Sequence, residues 1–148
     1  MKKYYLKLDK LGLFLFFVLM LPTFFWGIVP SANDILRIQS KTPQIDILAS
    51  IFQVIMVILM CSFRRKEIER TKLTKAMNYS AVACCIAYYI GWIFYYMNFT
   101  NPVVIMALTL FPSFAFVSYQ IGKQNRLAII PAILFTILHL IHGIVNFM

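Results

Sequence analysis

The chain is poor in acid. Five of its 148 residues are Asp or Glu, against fourteen Lys and Arg, and charged residues of every kind make up 13%. A soluble domain of this length needs far more polar surface, so lipid is the expected solvent. Cysteine is scarce as well. Cys61, Cys84 and Cys85 fall in or at the end of apolar runs, an odd set that excludes a disulfide framework and reads as small apolar filler. Palmitoylation of Cys61, beside a basic stretch, is the weaker reading.

Motifs for chemistry are missing too. The chain has no nucleotide-binding glycine loop, no GxSxG elbow, no HExxH and no cysteine cluster. Its two histidines are too few for haem held between helices, and at i, i+3 they lack an evident third metal ligand. No metal or cofactor is therefore expected. No carboxylate lies in the middle of an apolar run, where ion-coupled pumps place one, and no evenly spaced charges suggest a voltage sensor.

What is present is apolar. Hydrophobic residues are 61% of the chain. Five apolar runs stand out, at 11–29, 45–63, 77–97, 102–121 and 127–147, free of charge apart from Asp46 at the start of the second. Each approaches the roughly 20 residues that cross about 30 Å of hydrocarbon. The first is too long for a signal-peptide core, and no good small-x-small site follows it, so it reads as an uncleaved span. Thr42-Pro43 and Asn101-Pro102 read as N-caps with proline at the first helical position. Gly122 marks a helix end. Pro22, Pro112 and Pro131 lie inside spans and predict kinks. The expected fold is a single all-α domain, a bundle of five transmembrane helices without internal repeat.

Basic residues give the expected orientation. Segments 1–10, 64–75 and 122–126 carry four, six and two Lys or Arg, while the alternate connections carry only Arg37 and Lys41. The positive-inside bias puts the N-terminus in the cytoplasm and the C-terminus outside. The Lys-, Ile- and Phe-rich composition suggests a bacterial cytoplasmic membrane. The basic loop from Arg64 to Lys75 is expected to extend the second span as a helix and to contact anionic headgroups; nucleic acid is not expected. Asn98-Phe99-Thr100 matches a glycosylation pattern, but its short turn lies too near the membrane.

The outer connection 30–44 is neither low-complexity nor glycine-rich. Ser31 and Asp34 resemble a capping box, which predicts a short interfacial helix over 32–40. Asn33, Asp34 and Arg37 are its candidate functional residues, as a lid or docking site; the bland alternative is a solvated connector.

Polar residues at helical spacing supply the site candidates. Asp46, Ser50 and Gln53 share one face of the second span, and Thr136, His139, His142 and Asn146 share a stripe of the fifth. Counted at 1.5 Å per residue, Gln53 and His139 lie at one depth, and Asp46 and Ser50 are level with Asn146 and His142. If these two helices are neighbours, the residues line one outward-opening polar pocket, in which a carboxylate–imidazole pair can carry or sense a proton. The structural alternative is interhelical hydrogen-bond glue. Tyr88 and Tyr95 are expected to bond Gln53 or the histidines, and Trp26, Tyr95 and Tyr96 to join the outer aromatic belt. Ala83, Ala87 and Gly91 form a small-residue face suited to packing or to a homo-oligomer. Thr109, Ser113 and Gln120 sketch a polar path that backbone bonding of the hydroxyls would cancel.

With the catalytic set missing, the leading expectation is a non-enzymatic bundle that binds a partner or small ligand, such as an accessory, immunity-type or sensor protein. A small transporter or channel subunit comes second. A lipid-modifying enzyme using Asp46 with His139 or His142 as acid–base groups comes third.

Overall fold

The computed structural model describes residues 4–148. Lys2 and Lys3, counted above toward the basic end, lie outside the described residues. Five helices carry the chain: α1 (Lys10–Ile28), α2 (Pro43–Ser62), α3 (Lys72–Tyr96), α4 (Pro102–Gly122) and α5 (Arg126–Phe147). All five are long and apolar enough to span a membrane, with mean hydropathy between 1.3 and 2.3 over 18 residues. The architecture is compatible with a multi-pass membrane protein. Its outer surface agrees: Phe14, Phe17, Leu21 and Phe24 of α1 are each more than half exposed, which water would penalise and lipid does not.

Packing neighbours follow the cyclic order α1, α2, α5, α4, α3 and back to α1. The ring thus makes α2 and α5 neighbours. Burial is uneven around it. Over half of α4's apolar window is buried, 56% against 17% for α1. Gly91 of α3 sits against Leu108 of α4, where a Cβ would come within 3.1 Å of it. The rest of the small-residue face does not share that contact, for Ala87 is half-buried and Ala83 exposed.

Helix starts follow local chemistry. Asn101 Oδ1 accepts from Val104 N at 3.0 Å, with Pro102 behind it. α3 begins five residues before the charge-free run, because Thr71 and Thr74 form a reciprocal capping box at 3.1 and 3.0 Å. The end of α4 falls at Gly122, but the left-handed residue of the turn is Gln124 (φ 53°). Gly122 is needed for closeness instead, since an added Cβ would collide with Asn78.

Two expectations about connections fail. Segment 64–75 does not prolong α2. The helix stops at Ser62, and β2 (Phe63–Arg65) pairs antiparallel with β1 (Tyr4–Leu6), Tyr5 opposite Arg64. The ribbon caps the helix end: Cys61 O and Ser62 O accept from Asp9 N (2.8 Å) and Lys7 N (3.0 Å). Asn125 Nδ2 adds bonds to Leu59 O (3.2 Å) and Phe63 O (2.9 Å). Carbonyls that a longer helix would have used are thus satisfied by distant segments. In the connection 30–44 the helical residues are only a 3-10 turn, Ile35–Arg37, rather than 32–40. Ser31 caps nothing; its hydroxyl donates to Tyr95 O at 3.4 Å.

Candidate functional site

At the end of the bundle beneath residues 30–44, the ring of helices encloses a half-open cavity of about 400 Å³. Every helix contributes to its wall, and Leu36 of the loop lies over it. The lining is mainly apolar, and a third of it is aromatic: Trp26, Tyr88, Trp92, Phe116, Phe135 and Phe147. Asp46, Ser50, Gln53, His139 and His142 all line it.

The closest polar contact joins α2 to α5. His142 Nδ1 and Asp46 Oδ1 are 2.5 Å apart, with side chains 23% and 31% exposed. Asn146 is not part of the cavity wall. It reaches one turn beyond, where its Oδ1 accepts from Lys41 N (2.6 Å) and its Nδ2 donates to Thr42 Oγ1 (2.9 Å). Depth counting therefore brings the right helices together but is offset by a turn: Asp46 meets His142, and Asn146 meets the loop. Thr42 begins α2, as expected, yet its side chain makes no cap bond. Its hydroxyl joins the cluster instead, 3.4 Å from both Asp46 Oδ1 and His142 Nδ1.

This geometry limits the chemistry. Asp46, Thr42 and Asn146 all address the same ring nitrogen of His142. A proton on Nδ1 donates to the carboxylate, the strongest acceptor available, which leaves Nε2 without a partner among the described residues. A nucleophile–base–orienter relay puts the carboxylate on Nδ1 and the nucleophile on Nε2; the carboxylate is in place, but among the described residues no nucleophile bonds Nε2. His139 stacks between Phe135 (5.1 Å, 18°) and His142 (6.1 Å, 6°). It makes no hydrogen bond among the described residues. Among the described residues Gln53 has only a weak contact, Nε2 to Met20 Sδ at 4.0 Å, and the Ser50 hydroxyl returns to Asp46 O at 2.8 Å.

The expected tyrosine contacts are replaced by others. Tyr88 bonds Thr23 at 3.0 Å, and Tyr95 donates to Asp34 Oδ1 at 2.8 Å. Tyr95 is fully buried, so it is not a belt residue. Asp34 is the centre of a second cluster that ties the loop to α1 and α3. Trp26 Nε1 lies 3.0 Å from both of its oxygens, and Arg37 Nε is at 2.8 Å. Arg37 also donates to Trp26 O (2.9 Å) and Gly27 O (3.2 Å) at the end of α1, and its guanidinium lies 5.0 Å from the Trp26 ring centroid. Burial pushes the Asp34 carboxyl up, but the bonds from Tyr95, Trp26 and Arg37 outweigh it and hold the pKa below 3.8. Asn33 stays exposed, outside both clusters.

Lys41 is the participant that sequence reasoning missed, whereas Trp26 and Tyr95 were read for other contacts. Thr42 was visible only as a cap. Three aligned residues of the polar path fare no better as a channel: Thr109 and Ser113 bond backbone carbonyls four residues back, both at 3.0 Å, and Gln120 is sealed. Among the described residues no three of His, Cys, Asp and Glu converge as a metal site. Compared with family models, curated proteins and solved structures, the chain matches none.

Proposed function

We propose that this chain is a non-enzymatic multi-pass membrane protein that binds a small, largely apolar ligand in its aromatic cavity, as a sensor, immunity-type or accessory protein. The observation that carries this reading is the cavity itself. Its volume of about 400 Å³ and its aromatic wall with one carboxylate–imidazole edge fit a small-molecule site. The basic residues grouped at the opposite end support an N-terminus in the cytoplasm and a C-terminus outside. In that orientation the cavity opens outward in a bacterial cytoplasmic membrane, residues 30–44 rest at the interface as its lid, and residues 64–75 meet anionic headgroups. A membrane-protein partner or a second copy could bind the lipid-facing surface, where Ala83 is exposed.

The transporter reading is weaker because the way onward is packed. Met56, Met60, Ala115 and Phe116 are no more than 1% exposed. The enzyme reading is weaker because among the described residues no side-chain nucleophile bonds His142 Nε2.

The two tryptophans of the chain, Trp26 and Trp92, both line the cavity, so intrinsic emission reports occupancy. A panel of small aromatic amines, alcohols and acids should include compounds that shift emission saturably in the purified protein. Ala49→Phe, which fills the cavity, should abolish the shift while the circular dichroism is retained. Absence of any saturable shift across the panel, or one that survives Ala49→Phe, sinks the reading.

A further inference from the structure

A second cavity, of about 550 Å³, lies at the opposite end of the bundle. Six cations line it: Arg64, Arg65, Lys66, Arg70, Lys75 and Lys123. No carboxylate is among its lining residues. Among the described residues Arg65 is the one cation of the six in an ion pair, with Glu69 at 3.9 Å, and that glutamate is 74% exposed. Among the described residues the other five make no ion pair. Convergent like charges repel one another, so an anion would relieve the arrangement.

The backbone beneath these cations is fixed, unlike that of a loose polybasic loop. The ribbon sets Arg64 opposite Tyr5. Gln124 clamps the far side of the loop, accepting from Glu69 N (3.4 Å) and donating to Glu69 O (3.1 Å). Thr74 Oγ1 donates to the same carbonyl at 3.3 Å. Thr74 and Lys75 belong to the first turn of α3, whose dipole adds positive potential there. Lys123 stands 5.4 Å from the Tyr119 ring centroid, which steadies its ammonium. Preorganised donors of one sign suit a compact, multiply charged anion.

We infer that this cavity is a stoichiometric site for a phosphate-bearing group, either a lipid headgroup or a soluble phosphate. The inference sharpens the headgroup contact proposed for residues 64–75; it is independent of the aromatic cavity. Diffuse attraction treats all basic residues at this end alike, whereas a site distinguishes those that line it.

The full chain in nanodiscs or mild detergent is titrated with phosphatidylglycerol and phosphatidylcholine, with binding followed by native mass spectrometry. One retained phosphatidylglycerol per chain is expected. Arg64→Gln with Lys75→Gln should weaken it about tenfold or more, and so should Lys66→Gln with Arg70→Gln, which leaves the ribbon and helix untouched. Lys72→Gln with Arg126→Gln removes equal charge outside the cavity and should cost less than about twofold. Displacement by millimolar inorganic phosphate assigns the site to a soluble anion; retention against it assigns a lipid. Equal losses in all three pairs leave only diffuse attraction and overturn the site. No preference for phosphatidylglycerol, and no retained phosphate, overturns both the site and the headgroup contact.

Discussion

Two carboxylates at the same end of the bundle have opposite situations. Asp34 is 11% exposed and is held by Trp26, Tyr95 and Arg37, each within 3.0 Å. Asp46 is 31% exposed, and among the described residues its carboxylate has, beyond the His142 contact, only Thr42 at 3.4 Å. Asp34 sits in a loop, the usual place to look for function, yet its acceptor capacity is used to fasten that loop to α1 and α3. Asp46 sits in a helix, fixed by its backbone, and keeps capacity at a cavity edge. The difference shows that a polar residue is available to a ligand when the fold already holds it in place by other means and few donors claim it.

The largest effect should come from Asp34→Ala. It strands the Trp26 indole N–H, the Tyr95 hydroxyl and the Arg37 guanidinium together, and should destabilise the protein by about 3 kcal/mol. Thermal melts in mild detergent, with proteolysis of residues 30–44, measure this. A loss below that of Asp46→Asn would invert the comparison.

A smaller effect comes from protonating Asp34 rather than removing it. Its pKa is lowered from 3.8, so the carboxylate's contribution is complete above that value and is lost as pH falls through the lowered one. Trp26 emission, followed from about pH 5 to about pH 2, should report loosening of the loop on the acid limb only. Asp34→Asn should remove that limb; if the limb persists unchanged, another group is responsible.

Smallest in stability should be Asp46→Asn, about 1 kcal/mol or less because the pair is partly exposed. Its consequence should appear in ligand response, with saturable emission shifts weakened about tenfold or more for ligands that use the polar edge. Unchanged binding would confine Asp46 to a structural role like that of Asp34.

Legibility followed the range of the interactions. The Asn101 cap and the five spans depend on neighbours within a few residues, and they were readable to within five residues at the worst boundary, the start of α3. The Asp46–His142 contact was half-readable. Stripe and depth suggested which helices face each other, but not the one-turn offset, which depends on how two helices slide and tilt in packing. Asp34 was readable as important and misassigned in mechanism, because a capping box with Ser31 is a local explanation while Tyr95 is 61 residues away. Asp9 went unnoticed altogether. It is 5% exposed and accepts from Tyr119 at 2.9 Å, 110 residues on, a pairing with no local signature.

Sequence by itself determined the number of long apolar helices, each suited to a membrane, and the concentration of positive charge at one end, because hydrophobicity and charge act residue by residue. Tertiary structure alone decided that the helices close as a ring around an aromatic cavity, that Asp34 is spent on the loop while Asp46 is not, and that the basic connection folds into a ribbon-backed pocket. In lipid every backbone polar group must be satisfied inside the protein, so helices form from local bonds. Which side chains then meet depends on packing between segments far apart in the chain, and no short stretch of sequence records it.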